Sequence, residues 1–233
     1  MASPRYAAIR TMFEALSVTR LTALIRHLSS ARGIIFTLHR VLPDEPADFA
    51  PNAILQIKPD FLDYAIRRVR ALGFDIVDLD EAVRRVEADF HVKRFAVFTF
   101  DDAYRDNLKY ALPILRRHQC PFTLYVPTAL VDGIGEVWWQ ALEDIVAAQQ
   151  AIALEIDGET EYLPTTTLGE KQATYELIYT RMRTMPENER VALIRDLAHK
   201  YSYDLEAQCR SLIMDWPELK TFEREGHEAA IDE

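Results

Sequence analysis

The chain of 233 residues is long enough for one large domain or two small ones, and its 49% hydrophobic residues can build a substantial core. Its formal net charge of -10 argues against nucleic acid or an anionic membrane surface as a partner, because both attract basic patches. No run of about 18 apolar residues occurs, so no transmembrane segment is predicted. The stretch from Met1 to Arg5 is not followed by the apolar core of a secretory signal, and we therefore expect a cytoplasmic location.

Residues 1–30 predict an N-terminal amphipathic helix. Apolar side chains recur at three- and four-residue steps from Ile9 to Leu28, and Arg10, Arg20 and Arg26 lie between them. A basic amphipathic helix can bind a membrane surface, but packing across the outside of the domain is the favoured interpretation.

Residues 31–137 predict an alternation of strands and helices. Four apolar strands are expected, and they end near His39, Val77, Asp101 and Val126. Helices are predicted to begin at Pro59 and at Asp80 and to cover 104–118. This order is typical of an α/β fold with a parallel sheet, in which functional residues lie at the carboxyl ends of the strands.

Residues 138–210 interrupt this alternation with a helical insertion. A helix over 138–149 precedes a hairpin that turns at Asp157-Gly158, and two charged helices follow over about 168–184 and 187–200. Pro186 is expected as the first-turn proline of the second charged helix. We interpret the insertion as a lid or a flank over the carboxyl ends of the strands, where the mouth of a barrel would lie. Residues 211–233 predict a short helix and a solvated acidic tail.

The strand Phe95–Phe100 ends on two adjacent carboxylates, Asp101 and Asp102. Six apolar or β-branched residues without a charge predict a strand that is buried on both faces. Two neighbouring like charges are costly to desolvate unless a metal ion or a shared proton uses them. The alternative is that Asp102 caps the next helix and Asp101 is solvated. His39 follows the first strand at the same edge of the sheet.

These residues stand in a longer pattern. Thr99-Phe-Asp-Asp102 with Ala103 and Tyr104 after it resembles the first motif of the polysaccharide deacetylase family, carbohydrate esterase family 4. Other stretches resemble the same family in the same order, over roughly residues 5 to 220, and these are Phe36–Val41, Leu72–Ala82, Cys120–Thr128 and Val137–Trp139.

The resemblance implies a partial (β/α) barrel and a hydrolase that acts on non-peptide carbon–nitrogen bonds. It implies removal of N-acetyl groups from amino sugars of an oligo- or polysaccharide by a water that a divalent metal of the zinc type activates. Asp101 is then expected as the catalytic base and Asp102 as a metal ligand. His39, Tyr104 and Trp138 are expected at the barrel mouth or against the substrate, Trp138 through stacking on a sugar ring.

The sequence departs from the family in two ways. The family supplies two more ligands as a His-x-x-x-His pair, but no two of the six histidines are four apart; they are His27, His39, His91, His118, His199 and His227. The later strands of the barrel are also missing, which indicates a C-terminally truncated chain or an inactive or glycan-binding paralogue. A sheet that stops early has an open edge, through which self-association is expected. Ala103 stands where the family usually has glycine, so a positive φ there would strain the loop.

A third interpretation is a phosphatase of the haloacid dehalogenase type, whose nucleophilic aspartate also ends an apolar strand. That class has a second aspartate two residues after the first, and here this residue is Ala103. The two cysteines, Cys120 and Cys209, are far apart and are expected to be free thiols in a reducing compartment.

Overall fold

The computed structural model describes residues 32–88, 93–156, 159–224 and 229–232, so the prediction for residues 1–30 lies outside the described residues. The strands in chain order are β1 (Gly33–Leu38), β2 (Arg40–Val41), β3 (Gln56–Ile57), β4 (Asp75–Ile76), β5 (Phe95–Phe100), β6 (Thr123–Pro127), β7 (Ala151–Ile156), β8 (Glu159–Pro164) and β9 (Ala229–Asp232). The α-helices are α1 (Pro59–Ala71), α2 (Leu79–Glu87), α3 (Leu112–Arg117), α4 (Thr128–Val131), α5 (Trp138–Ala148), α6 (Leu168–Thr184), α7 (Glu187–Lys200), α8 (Leu205–Leu212) and α9 (Trp216–Arg224).

The main sheet has five parallel strands with β5 at its centre. β1 pairs with the whole of β5, from Gly33 opposite Phe95 to Leu38 opposite Phe100. β4 pairs with the first two residues of β5 and β6 with the last two. The four predicted strands and their parallel arrangement are therefore confirmed. The path of the sheet has two ends, so the described residues form a mixed α/β fold in which the sheet does not close into a barrel.

The prediction of a solvated tail at the end of residues 211–233 is wrong for residues 229–232. Residues 229–232 form β9, which runs parallel to β6, with Ala229 opposite Leu124 and Asp232 opposite Pro127. The outer edge of β6 would otherwise leave backbone groups unpaired, and a short segment of small and apolar residues satisfies them.

Helices cover both faces of β5, and all six of its residues are buried. One face carries Phe98 and Phe100, which share a core with side chains of α1 and α3 such as Leu62 and Leu115. The other face carries Phe95 and Val97, which pack with Ala82 of α2. This double cover explains why the strand is a continuous apolar run.

Local chemistry sets the ends of the helices. α1 begins at Pro59 as predicted, and Gly73 follows its end with φ of 83°. α2 begins before the predicted Asp80, because the side chain of Asp78 accepts the backbone N–H of Glu81 and caps the helix. Pro186 is the cap residue of α7 and not its first-turn proline.

The predicted helix over 104–118 contains a π-helical segment, Asn107–Ala111, ahead of α3. Pro113 lies just inside α3. It cannot donate a backbone hydrogen bond, and its ring would collide with the carbonyl four residues earlier, at Lys109. A wider turn before the proline removes this conflict.

The insertion has a core of its own. β7 and β8 form the predicted antiparallel hairpin, and α6 and α7 occupy the predicted ranges. Side chains of α5, α6, α7 and β7 make this core, which includes the wholly buried Leu142, Ile152, Ile178, Ile194 and Leu197. Thr167 and Glu170 form a capping box that fixes the start of α6. None of the described helices combines the length and the apolar character that a membrane span requires.

Candidate active site at the end of the central strand

Asp101 and Asp102 follow β5 directly and open onto a cavity of about 390 Å³. The cavity is lined by one face of the sheet and by the start of α2, through Ile35, Thr37, Thr99, Tyr125, Pro127 and Leu79. The pair thus lies at the carboxyl ends of parallel strands, where this class of fold places its functional residues.

The structure places His39 beside this pair. Its Nε2 is 3.8 Å from Oδ2 of Asp101, a distance of electrostatic contact rather than of a hydrogen bond. Backbone pairing brings the two residues together, because the amide of Asp101 donates to the carbonyl of Leu38 at 2.9 Å. The roles of base for Asp101 and of mouth residue for His39 stay predictions.

Burial dominates the electrostatics of Asp102. It raises the pKa of this carboxyl to about 6, an effect that His39 opposes and Asp101 strengthens. The group therefore changes charge close to neutral pH. A carboxyl of this kind can hold a cation or exchange a proton at the pH where most enzymes work.

The two residues after Asp101 have left-handed backbone. φ is 68° at Asp102 and 51° at Ala103. A helix cap has extended backbone, so the alternative that Asp102 caps the next helix is wrong. The strain predicted for Ala103 is present, at a cost of about 1–3 kcal/mol for a non-glycine residue in this region.

Polar contacts from distant segments hold the loop. The amide of Met214 donates to the carbonyl of Ala103 at 3.0 Å, and Asn107 Nδ2 donates to the carbonyl of His39 at 3.0 Å. Asp106, only 7% exposed, accepts from the amide of Val41 at 2.8 Å and from Arg40 Nε at 2.9 Å. Burial raises the pKa of Asp106, and these two donors oppose the rise.

The side chain of Tyr104 is wholly buried, and its place at the barrel mouth or against the substrate stays a prediction. Its hydroxyl accepts a hydrogen bond from Trp139 Nε1 at 2.9 Å, and the Arg40 guanidinium lies 4.8 Å from its ring centre. Burial raises the pKa of Tyr104 far above the physiological range, so it stays protonated.

Trp138 packs in the insertion rather than against the cavity. Its ring lies 5.7 Å from that of Trp139 and 5.3 Å from that of Tyr179, with Arg190 at 5.5 Å from its ring centre. It is not among the residues that line the cavity next to the aspartates. Stacking of Trp138 on a sugar stays a prediction.

The described residues do not complete a metal site. Within the described ranges, no group of three or more His, Cys, Asp or Glu side chains is arranged to hold a metal ion. A zinc site needs three protein ligands, and Asp101, Asp102 and His39 are not arranged as such a set among the described residues. His27, His91 and His227 lie outside the described residues. Cys120 and Cys209 are free and buried, and burial raises the pKa of the Cys120 thiol to about 12.

The family model described as polysaccharide deacetylase matches residues 91–156, the segment with β5, the aspartate pair and α5. No protein of curated function matches the chain.

Three solved structures are similar in fold at low scores. A de-N-acetylase from Aggregatibacter actinomycetemcomitans is 13% identical over 86% of this chain and 54% of its own, with a TM-score of 0.45. IcaB from Ammonifex degensii is 14% identical over 87% and 53%, with a TM-score of 0.43. The Streptococcus pyogenes deacetylase PplD, in complex with acetate, is 22% identical over 45% and 46%, with a TM-score of 0.37.

The chain thus spans about half the length of these structures. The likeness to the polysaccharide deacetylases rests on the matched segment, which includes the aspartate motif. Over residues 91–156 the chain is thus similar to the polysaccharide deacetylases.

Proposed function

We propose that the chain supplies the catalytic carboxylates for hydrolysis of an N-acetyl amide on an amino sugar of an oligo- or polysaccharide. One observation carries the proposal. Adjacent carboxylates, Asp101 and Asp102, end the central parallel strand, open onto a cavity and lie in the segment that the family model matches. Hydrolysis of an acyl bond needs a base for the attacking water and a group that stabilises the developing oxyanion.

The proposal assigns separate roles to the neighbouring carboxylates. Asp101 takes the proton of the attacking water, and His39, 3.8 Å away, stabilises the ionised form of Asp101 when the imidazole is charged. Asp102 would be one ligand of a divalent cation, and such a cation would supply Lewis-acid chemistry. The described residues leave the ligand set incomplete, so the remaining ligands have to come from residues outside the described ranges.

The test combines metal content with acetate release from N-acetylglucosamine oligomers. We expect Asp102→Asn to abolish metal binding and acetate release. We expect Asp101→Asn to keep the metal and lose about 100-fold or more in rate, because a general base contributes on that order. Asp196→Asn is the matched control, since this aspartate is exposed on α7 in the insertion. Equal metal affinity in the wild type and in Asp102→Asn would contradict the ligand assignment.

The incomplete ligand set favours a second candidate, an inactive or glycan-binding paralogue of the same fold. Such a protein would bind acetylated oligomers in calorimetry without releasing acetate. Asp102→Asn would then leave glycan affinity unchanged, whereas an active enzyme loses turnover with this change.

A further inference from the structure

We propose that Trp139 is a positioning residue for the aspartate pair, and that it acts through its hydrogen bond to Tyr104. This inference rests on the proposed function, because it concerns how the two carboxylates are held for reaction. The hydrogen bond from Trp139 Nε1 to Tyr104 Oη, at 2.9 Å, joins the insertion to the segment that follows the central strand.

The loop needs an external support. Asp102 and Ala103 both have positive φ, a backbone state that persists only where surrounding contacts impose it. On the backbone side, Asp101 donates to Leu38, and Ala103 accepts from Met214. A side chain supports the loop as well. Tyr104 directly follows Asp102 and Ala103, and its buried phenol fixes the position where the loop ends.

The partner of that phenol is itself held firmly. The backbone carbonyl of Trp139 accepts a hydrogen bond from the side-chain Nδ2 of Asn52 at 2.8 Å. The backbone N–H of Asn52 donates to Glu143 Oε2 at 2.7 Å. The Tyr175 hydroxyl donates to Asn52 Oδ1 at 2.7 Å. Tyr175 and the residues of α5 around Trp139 belong to the core of the insertion.

A polar path therefore runs from that core to the residue next to the strained loop. Loss of the indole N–H leaves the buried phenol oxygen of Tyr104 without its donor. The left-handed pair then loses one of its supports and samples other backbone states, in which the two carboxylates no longer face the cavity together. In this way the insertion affects the reaction by holding the aspartate pair in place, without contributing a residue that touches the substrate.

The test uses Trp139→Phe and Tyr104→Phe, which delete the donor and the acceptor while keeping an aromatic ring. We expect each to speed amide exchange at residues 101–107 and to lower kcat about threefold to tenfold with KM unchanged. The double variant should be no worse than either single one, because both remove the same bond. Trp216→Phe is the matched control, since its indole also donates one hydrogen bond, but to Asp132 Oδ1 at 2.8 Å and not to a residue of 101–107.

Rescue separates positioning from general destabilisation. Ala103→Gly removes the strain at φ 51°, so it should restore loop protection and kcat in the Trp139→Phe background. A purely structural role for Trp139 in the insertion would leave Trp139→Phe unrescued, and this result would overturn the proposal. So would unchanged loop exchange in both single variants. If the wild type releases no acetate, the proposed function fails, and the exchange and rescue results still decide the positioning.

Discussion

At the scale of single residues, the ionisation of Asp102 opposes folding at neutral pH. Burial raises its pKa to about 6, above the value of about 3.9 for an exposed aspartate. The folded state therefore binds this proton more tightly than the unfolded state does. The associated stability is fully present below the unfolded pKa and is lost as the pH rises through about 6.

Asp102→Asn should consequently stabilise the protein at about pH 8. The expected gain in unfolding free energy is about 2–3 kcal/mol, and it should vanish toward pH 4, where the wild-type carboxyl is also neutral. Urea unfolding at a series of pH values measures it. A gain that does not change with pH would show that the charge of Asp102 is not its source.

Asp63 gives a control of opposite sign. His118 and then Arg67 hold the pKa of this carboxyl well below its usual range. Its stabilising effect is present above the unfolded pKa and is lost as the pH falls through the folded one. Asp63→Asn should therefore lower stability at neutral pH, and its difference from the wild type should shrink in acid.

At the scale of elements, Asp106 ties β2 to the helix that follows the aspartate pair. Its carboxylate binds both the amide of Val41 and the side chain of Arg40, which is 19% exposed. Removal of one partner from a buried ion pair leaves the other charge uncompensated, whereas removal of a solvated partner changes little.

Asp106→Ala should lower the unfolding free energy by about 3 kcal/mol, and Asp106→Asn by less, because the amide oxygen still accepts from Val41. Chemical denaturation gives both values. Glu206→Ala is the matched control, since its pair with Arg210 is 66% and 57% exposed. We expect that control to stay within about 0.5 kcal/mol of the wild type. Equal losses from the buried and the exposed pair would contradict the argument.

Local signals carried the predictions that succeeded at this scale. The apolar run of β5 and the two charges after it are readable side by side, and a cap or a proline marks the ends of α1, α6 and α7. The sequence does not reveal the Arg40–Asp106 pair or the Trp139–Tyr104 bond, because their partners are 66 and 35 residues apart. Hydrogen bonding over such separations leaves no periodicity in the sequence. β9 could not be predicted for the same reason, because its partner strand β6 is distant in the sequence.

At the scale of the whole molecule, the main sheet ends at β1 among the described strands. Ile34 and Ile35 on this strand are 43% and 55% exposed, and an apolar groove of about 580 Å³ lies between β1 and α2. An unpaired strand edge beside exposed apolar side chains favours pairing with another chain.

We therefore expect the isolated chain to self-associate at high concentration, and Ile34→Lys to prevent it by placing a charge on the edge strand. Sedimentation velocity over a range of concentrations measures the effect. Ile134→Lys changes an isoleucine that is 70% exposed in the loop between α4 and α5, and it should leave association intact. A wild-type chain that stays monomeric at every concentration would refute the expectation.

The pairing of β6 with β9 also bears on the order in which the protein is made. Leu124 pairs with Ala229, so one edge of β6 stays unpaired until residues that are synthesised much later have emerged. At usual elongation rates this delay is roughly 5–20 s, far longer than a hairpin or a helix needs to form. The insertion, whose contacts are more local in sequence, can fold within that interval. A ribosome-bound chain would thus present a finished insertion beside a sheet that still lacks its last strand.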